Sequence, residues 1–192
     1  MVNQLRPALV MTALFTLLLG LAYPLAVTGI AQVAFPDQAN GSLVRDAGGQ
    51  VVGSSLIGQP FAGATYLHPR PSAAGDGYDA AASSGSNMGP LNPDLTARVA
   101  ETAQAIRAED APGVIPADAV TTSGSGLDPD VSPAYARLQA ARIARARGVP
   151  VQQVQSIIDA RTEGAFLGFI GQPHVNVLMT NRALDARFGA EG

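Results

Sequence analysis

The sequence predicts an α+β protein in which one N-terminal transmembrane helix precedes a single small domain of mixed α/β structure. Residues 8–35 form one long apolar run, and the rest alternates capped helical segments with short strand-like runs. About 155 residues follow the run, which fits one domain. We therefore expect residues 1–7 to be a short cytoplasmic N-terminus, 8–35 the membrane helix and 36–192 an extracytoplasmic domain.

The apolar run contains no charged residue from Ala8 to Phe35. At about 1.5 Å per residue, a helix of this length exceeds the roughly 30 Å hydrocarbon core of a bilayer. A cleaved signal peptide would have an apolar region of about 7–15 residues and a small-x-small cleavage site. The run therefore predicts an uncleaved signal-anchor. Arg6 in front of it predicts a cytoplasmic N-terminus and a domain outside the inner membrane.

Small or hydroxyl-bearing residues recur at every fourth position of the predicted membrane helix. They are Thr12, Thr16, Gly20, Pro24 and Thr28. Small residues let another helix backbone approach closely, so this row is a candidate face for partner helices. The alternative is coincidence, because such residues are common in membrane helices. Pro24 also cannot donate a hydrogen bond to the Gly20 carbonyl, which is expected to lack its usual partner.

Composition excludes several kinds of chemistry. The net charge is −3 without a polybasic tract, so nucleic acid is not an expected partner. Cysteine is absent, which removes thiol nucleophiles and thiolate metal sites. Every basic side chain other than histidine is arginine, whereas a P-loop needs a lysine to reach the phosphates of ATP. No acidic spacing matches a known cation site. We therefore expect no catalytic residue, metal site or cofactor in this chain alone.

Local signals place most of the domain's elements. Turn residues between Gly41–Arg45 and Gln50–Ser54 predict a hairpin. The pattern of caps and apolar spacing predicts three helices, which start at Asn92-Pro93 and close at Pro112-Gly113, start at Ser132-Pro133 and end at Gly148, and run from Val151 to near Gly164.

The remaining segments are harder to assign. Val175, Val177 and Met179 alternate as in a strand, after which Asn181 is expected to cap a last short helix. Residues 66–92 lack periodicity, and we expect an ordered functional loop there. The arginines of the second long helix, from Arg137 to Arg147, are expected to form a solvated face, although they could also hold phosphate or a partner carboxylate.

A serine hydrolase is the competing interpretation from the residues alone. His68 could act as a base for Ser86 or Ser125, both of which lie in Ser/Gly-rich loops. The simpler interpretation is that these hydroxyls belong to turns, since no Gly-x-Ser-x-Gly motif is present.

A series of motifs runs in order through nearly the whole chain. They are Arg6-Pro7-Ala8, Gly53-Ser54-Ser55-Leu56-Ile57-Gly58-Gln59, His68-Pro69-Arg70-Pro71-Ser72, Ser84-Gly85-Ser86-Asn87, Asn92-Pro93-Asp94-Leu95, Ser123-Gly124-Ser125-Gly126-Leu127-Asp128, Gly171-Gln172-Pro173 and Asn181-Arg182-Ala183-Leu184-Asp185. Together they closely resemble the C subunit of the bacterial Kdp potassium pump. No single motif is specific; the combination is.

The resemblance implies a non-catalytic accessory subunit of a high-affinity, ATP-driven potassium importer. In that family the A subunit binds and conducts potassium, the B subunit is the P-type ATPase, and a small F peptide helps hold the complex. The C subunit is described as a catalytic chaperone that raises the ATP affinity of the B subunit. ATP and potassium are thus used by the complex. The alternative function is a single-span, membrane-anchored cell-surface hydrolase.

If the resemblance holds, polar loop residues within the matching motifs are candidates for contact with other subunits. These candidates are Gln59, Ser86, Asn87, Ser125 and Gln172.

Overall fold

The computed structural model describes residues 2–110 and 113–190, and only the backbone of Val2. A long apolar helix is followed by helices and two small antiparallel sheets, which confirms the predicted fold class. The chain forms two units, one up to Val52 and one from Gly53 onward, and each is described by itself.

The N-terminal helix has three parts. They are α1 (Val2–Leu17), a π-helical turn (Leu18–Ala22) and α2 (Tyr23–Ala34). Residues Leu5–Ala34 form a 30-residue helical stretch that contains an 18-residue window with a mean hydropathy of 2.0, so it is long and apolar enough to cross a membrane. Helical backbone ends at Phe35, whose φ is −140°.

The π-helical turn accommodates the proline inside the apolar helix. The backbone N–H of Tyr23 donates to the carbonyl of Leu18, five residues earlier, so this turn is wider than an α-helical turn. Pro24, which has no N–H to donate to the carbonyl four residues earlier, follows Tyr23 in the first turn of α2. The helix thus accommodates Pro24 through a local π-helical turn. Prolines and π-helical turns are both common causes of irregularity in long helices.

The first unit ends in the predicted hairpin. A short helix, α3 (Pro36–Ala39), leads into β1 (Leu43–Arg45), which pairs with β2 (Val51–Ser54). The turn is closed by the backbone N–H of Gly49, which donates to the Asp46 carbonyl at 3.1 Å. Gly49 has a φ of +81°, a conformation that glycine adopts without steric cost.

Five helices and one 3₁₀ turn (Ala80–Ala82) lie in the described part of the second unit. The helices are α4 (Pro93–Glu109), α5 (Ala117–Val120), α6 (Pro133–Arg147), α7 (Val151–Ala160) and α8 (Val177–Phe188). The predicted starts of α4 and α6 are correct, since the side chains of Asn92 and Ser132 accept backbone N–H bonds as caps. Gly148, with a φ of +66°, ends α6 as predicted.

Of the predicted helix ends, one lies outside the described residues and one differs from the structure. Pro112, expected to close α4, lies outside the described residues, and α4 itself ends at Glu109. The third helix does not extend to Gly164, as expected, but ends at Ala160. Beyond that residue the chain enters a strand, β4 (Thr162–Glu163), because its backbone pairs with a neighbouring strand instead of continuing the helix.

The second sheet has the order β3–β5–β4, with β3 at Asp130–Val131 and β5 at His174–Asn176. Both pairings are antiparallel. The predicted strand from 174 to 179 was therefore too long. The side chain of Asn176 accepts from the backbone N–H of Met179 and caps α8, so Val177 and Met179 belong to its first turn.

The core of the second unit is built around α6. Small residues of this helix, Ala136 and Ala140, are fully buried and allow close packing of neighbouring elements. Large buried side chains from four other segments complete the core, namely Leu67, Val154, Ile158, Val175 and Leu184. The core thus consists mainly of aliphatic side chains, with Tyr135 as its buried aromatic member.

Candidate functional site

The long loop that begins near residue 66 is ordered by side chains of two helices. Asn181 of α8 accepts from the N–H of Leu67 at 2.7 Å and donates to its carbonyl at 2.9 Å. Gln139 of α6 does the same for His68, at 2.7 and 3.1 Å. Each carboxamide makes the pair of bonds that a neighbouring strand would make, so the buried backbone is satisfied without a sheet.

Asn181 was expected to cap a helix, and that prediction is wrong. Its side chain is fully buried within α8, and the cap is Asn176. Polar side chains at buried positions are normally hydrogen-bonded, and here the partner is the Leu67 backbone, 114 residues earlier.

Arg142 of α6 holds the same loop from within the core. Its side chain, only 7% exposed, donates to the carbonyls of Ala64 at 2.8 Å and Tyr66 at 3.0 Å. It also forms an ion pair with the buried carboxylate of Asp110 at 2.9 Å. A buried arginine is tolerated when its donors are used in this way, because the guanidinium carries five of them.

The expected solvated arginine face is therefore wrong in part. Arg147 is 3% exposed and donates to the Thr65 carbonyl at 2.8 Å and to Asp185 at 2.7 Å. Arg137, by contrast, is half-exposed and pairs with the equally exposed Asp159. Arg137, Arg142 and Arg147 therefore form ion pairs with carboxylates of this same chain. We call the segment Ala64–His68, together with Gln139, Arg142, Arg147 and Asn181, the loop frame.

A second set of bonds joins two Ser/Gly-rich loops. The carbonyl of Ser125 accepts from the N–H of Ser84 at 3.0 Å and from the hydroxyl of Ser83 at 2.9 Å. The carbonyl of Gly126 accepts from the hydroxyl of Ser72 at 2.7 Å. Gly126 has a φ of +68°, and a Cβ there would lie 2.5 Å from the Ser84 carbonyl oxygen. Only glycine fits this junction.

The segment that contains Gln59 joins the same junction. The N–H of Gly58 donates to the carbonyl of Leu127 at 2.8 Å, and a Cβ at Gly58 would lie 2.6 Å from the Asp128 carbonyl oxygen. The backbone of this segment therefore packs directly against the Ser/Gly-rich loop of residues 123–128.

The structure brings four of the five candidate contact residues into these joined loops. Gln59 follows Gly58, and Ser125 lies at the junction. Ser86 and Asn87 follow Gly85, which lies against Gly124. Ser125 and Asn87 are exposed, and Ser86 and Gln59 are half-buried. Asn87 has a φ of +51°, a conformation that asparagine tolerates better than most residues.

Gln172, the fifth candidate, belongs to the loop between β4 and β5 and not to the joined Ser/Gly-rich loops. It is exposed and lines a cavity of about 330 Å³ together with Asp118, Asp128, Asp130 and His174. Burial raises the pKa of Asp130 above its ordinary value, while the nearby His174 and Asn176 oppose that shift. Within residues 2–110 and 113–190, no group of three or more acidic or histidine side chains is arranged to hold a metal ion.

The residues proposed for a hydrolase do not form a nucleophile–base pair. The Nε2 atom of His68 lies 3.0 Å from the Gly63 carbonyl, and its Nδ1 atom lies 3.8 Å from Glu109. Burial, and next the charge of Arg142, lower the pKa of His68. The hydroxyl of Ser125 accepts from the N–H of Leu127 instead. The His68 imidazole and the Ser125 hydroxyl are therefore hydrogen-bonded in two separate loops.

These features define a class of protein: a domain of ordered loops and short helices that follows one candidate membrane helix. Residues 5–186 match the family model for KdpC, the c chain of K⁺-transporting ATPase. The chain is 68% identical over 192 residues to the "Potassium-transporting ATPase KdpC subunit" of Caulobacter sp. strain K31, covering 100% of this chain and 98% of the relative.

More distant relatives give the same result. The KdpC subunit of Myxococcus xanthus is 59% identical over 181 residues, covering 93% of this chain and 86% of the relative. That of Mycobacterium tuberculosis strain H37Ra is 56% identical over 187 residues, covering 95% and 98%. The chain belongs to the KdpC family. It is a non-catalytic subunit of the membrane-bound Kdp complex, which uses ATP and potassium.

Sequence reasoning missed the loop frame. One signal was available, because Gln139 and Arg142 lie three residues apart on the same helical face as the core residue Ile143. Polar side chains on an apolar face predict buried partners, although the spacing alone does not say which partners.

Proposed function

We propose that this chain assembles and stabilises the Kdp complex and raises the ATP affinity of its ATPase subunit without contacting the nucleotide. The proposed partners are the potassium-binding A subunit, the P-type ATPase B subunit and the small F peptide. The observation that carries the proposal is the family match over residues 5–186, which spans both the apolar helix and the domain with its ordered loops.

The apolar helix supports assembly through the row Thr12, Thr16, Gly20, Pro24 and Thr28. In a regular α-helix each four-residue step drifts by about 40°, so the row would turn through about 160°. The π-helical turn at Leu18–Ala22 inserts about one extra residue, which sets the later positions back by about 100°. Pro24 and Thr28 then return to within about 60° of Thr12. The wide turn therefore supports one continuous face for partner helices.

The test is a variant that fills this face while keeping the helix apolar. Thr16→Leu with Gly20→Leu favours insertion, since leucine partitions well into hydrocarbon, but prevents close backbone approach. We expect complexes extracted in mild detergent to lose this chain. Ala26→Leu is the matched control, because it lies about 160° from Thr28 on the opposite face. Full retention of the double variant would contradict the proposed face.

We further propose that residues 1–7 are cytoplasmic, residues 8–35 span the inner membrane and residues 36–192 lie outside. Arg6 precedes the helix and supports this orientation. Ser125→Cys introduces the only thiol of the chain at an exposed position. A membrane-impermeant maleimide should label it in intact cells. Labelling only after the membrane is opened would place the domain in the cytoplasm.

With this orientation, the loop junction and the nucleotide lie on opposite sides of roughly 30 Å of hydrocarbon. An effect on ATP affinity must then be a coupling between conformational states, on the order of 1–3 kcal/mol. Such coupling is reciprocal, so ATP must strengthen the attachment of this chain by the same factor, about 5–150-fold. Equal affinities of this chain for the rest of the complex with and without ATP would contradict the coupling and leave the assembly role intact.

A further inference from the structure

The loop between β4 and β5 carries a cluster of exposed apolar side chains. Phe166, Leu167, Phe169 and Ile170 are 69%, 69%, 76% and 51% exposed, and we call these four residues the apolar tip. The whole loop from residue 164 to 173 contains no charged residue. Single exposed apolar residues are ordinary, but a contiguous cluster marks an interaction surface.

Much of the backbone of the apolar tip is hydrogen-bonded within the loop itself. Phe166 and Ile170 exchange N–H···O bonds of 2.8 and 2.9 Å, and the N–H of Gly168 donates to the Ala165 carbonyl at 2.9 Å. A loop whose polar groups bonded to water would lose those bonds on entering an apolar site, at a large cost. The apolar tip avoids most of that cost.

The turn at Leu167 and the flanking strands define the shape of the apolar tip in this structure. Leu167 has a φ of +54°, a conformation that leucine rarely adopts, and Gly168 follows with a φ of +81°. Both ends of the loop are attached to paired strands, since Glu163 of β4 lies opposite His174 of β5. A preformed shape lowers the entropy cost of binding to a site of matching shape.

A lipid surface is the weaker candidate for an occupant. Insertion of apolar groups at the membrane surface is usually supported by lysine or arginine attracted to anionic lipids. The loop has no such residue, and the first charged residue before it is Glu163. A fluid surface also has no fixed shape to match the turn at Leu167. A protein cleft does.

We infer that the apolar tip inserts into an apolar cleft on another subunit of the same complex, on the side of the membrane where this domain lies. The inference rests on the proposed assembly role, and it assigns that role a second contact besides the membrane helix.

The first test uses Phe169→Cys, labelled with a fluorophore that reports on polarity. The label is specific because the chain has no cysteine. Val114→Cys, at a position that is 92% exposed, is the control. In the reconstituted complex we expect a blue-shifted emission at position 169 that nitroxide lipids do not quench, and a water-like emission at position 114.

Two results would overturn the inference. Quenching of the label by nitroxide lipids, to the same extent in the lone chain and in the complex, would show that the occupant is lipid. A label at position 169 that stays as accessible to a water-soluble quencher as the label at position 114 would show that nothing covers the apolar tip.

A second variant tests the contact without a bulky label. Phe166→Ser with Phe169→Ser should speed the dissociation of this chain from the complex by at least about tenfold, since buried aromatic anchors dominate interfaces. Leu91→Ser, at a position that is 96% exposed, should leave the rate unchanged. If only the double variant Thr16→Leu, Gly20→Leu dissociates faster, the inference about the apolar tip is wrong but the assembly role stands. If neither variant does, the assembly role fails as well.

Discussion

The loop frame and the apolar tip are both irregular segments, yet they are ordered in opposite ways. In the loop frame, residues 64–68 are held by side chains of α6 and α8, and its apolar member, Leu67, is fully buried. The apolar tip bonds its own backbone and leaves its side chains exposed. A segment that is hydrogen-bonded by side chains of other elements contributes to the stability of the fold. A segment whose hydrogen bonds lie within its own backbone leaves its side chains available for a partner. Substitutions should therefore separate stability from assembly.

The largest expected effect is from Arg142→Ala. The change leaves the buried carboxylate of Asp110 without its cation and removes a donor from the Ala64 carbonyl. We expect the free energy of unfolding to fall by about 3–5 kcal/mol, measured by chemical unfolding of the full chain in mild detergent. Arg137→Ala on the same helix is the control, at less than about 1 kcal/mol, because its ion pair is exposed. Equal losses would show that Arg142 does not hold the loop frame.

A smaller effect is expected from Asn181→Leu. This change preserves bulk but leaves the N–H and carbonyl of Leu67 buried without partners, at a total cost of about 2–3 kcal/mol. Hydrogen exchange should show faster exchange of the Leu67 amide together with a loss of global stability. Asn92→Ala, which removes only a helix cap, should cost about 1 kcal/mol and spare that amide. Unchanged exchange at Leu67 would refute the strand-like role of Asn181.

The loop frame also makes a pH-dependent contribution through His68. Burial and the neighbouring Arg142 lower the pKa of His68 in the folded state, so the unfolded chain binds this proton more tightly. The free energy of unfolding should therefore decrease as the pH falls from 7.5 to 5.5, through the ordinary pKa of about 6.5. His68→Gln should reduce that decrease. The same pH dependence in both proteins would show that His68 does not contribute.

The smallest effect is expected in the apolar tip. Phe169→Ser should change the free energy of unfolding by less than about 0.5 kcal/mol, because the ring is 76% exposed and surface changes are usually near neutral. The same unfolding measurement provides the comparison with Arg142→Ala. A loss above about 2 kcal/mol would mean that the apolar tip supports the fold of this chain, and the contrast between the two segments would then not hold.

Features with a local cause could be predicted from the sequence. The apolar helix, the caps Asn92 and Ser132, and the terminating Gly148 each depend on residues within a turn or two of chain. The boundary at Asn176 was missed because alternating apolar residues also fit the first turn of a buried helix. In the candidate site, the shared junction of the Ser/Gly-rich loops was not predicted either.

The loop frame could not be predicted, because its partners are distant in sequence. Arg142 reaches Asp110 across 32 residues, and Asn181 reaches Leu67 across 114. Local periodicity marks a position as buried or exposed, but it does not identify which distant backbone group a buried amide will bind. Arginine at a buried position is also rare enough that a solvated face is the ordinary expectation.

The length of the apolar helix has a consequence for membrane thickness. The charge-free part of its helical stretch, from Ala8 to Ala34, is about 40 Å long, which is roughly 10 Å more than a typical hydrocarbon core. A helix with such a surplus tilts or thickens the bilayer around it. The wide turn before Pro24 lies near the middle of the stretch. We therefore expect this helix to be tilted in a bilayer of ordinary thickness, with the wide turn near its midplane.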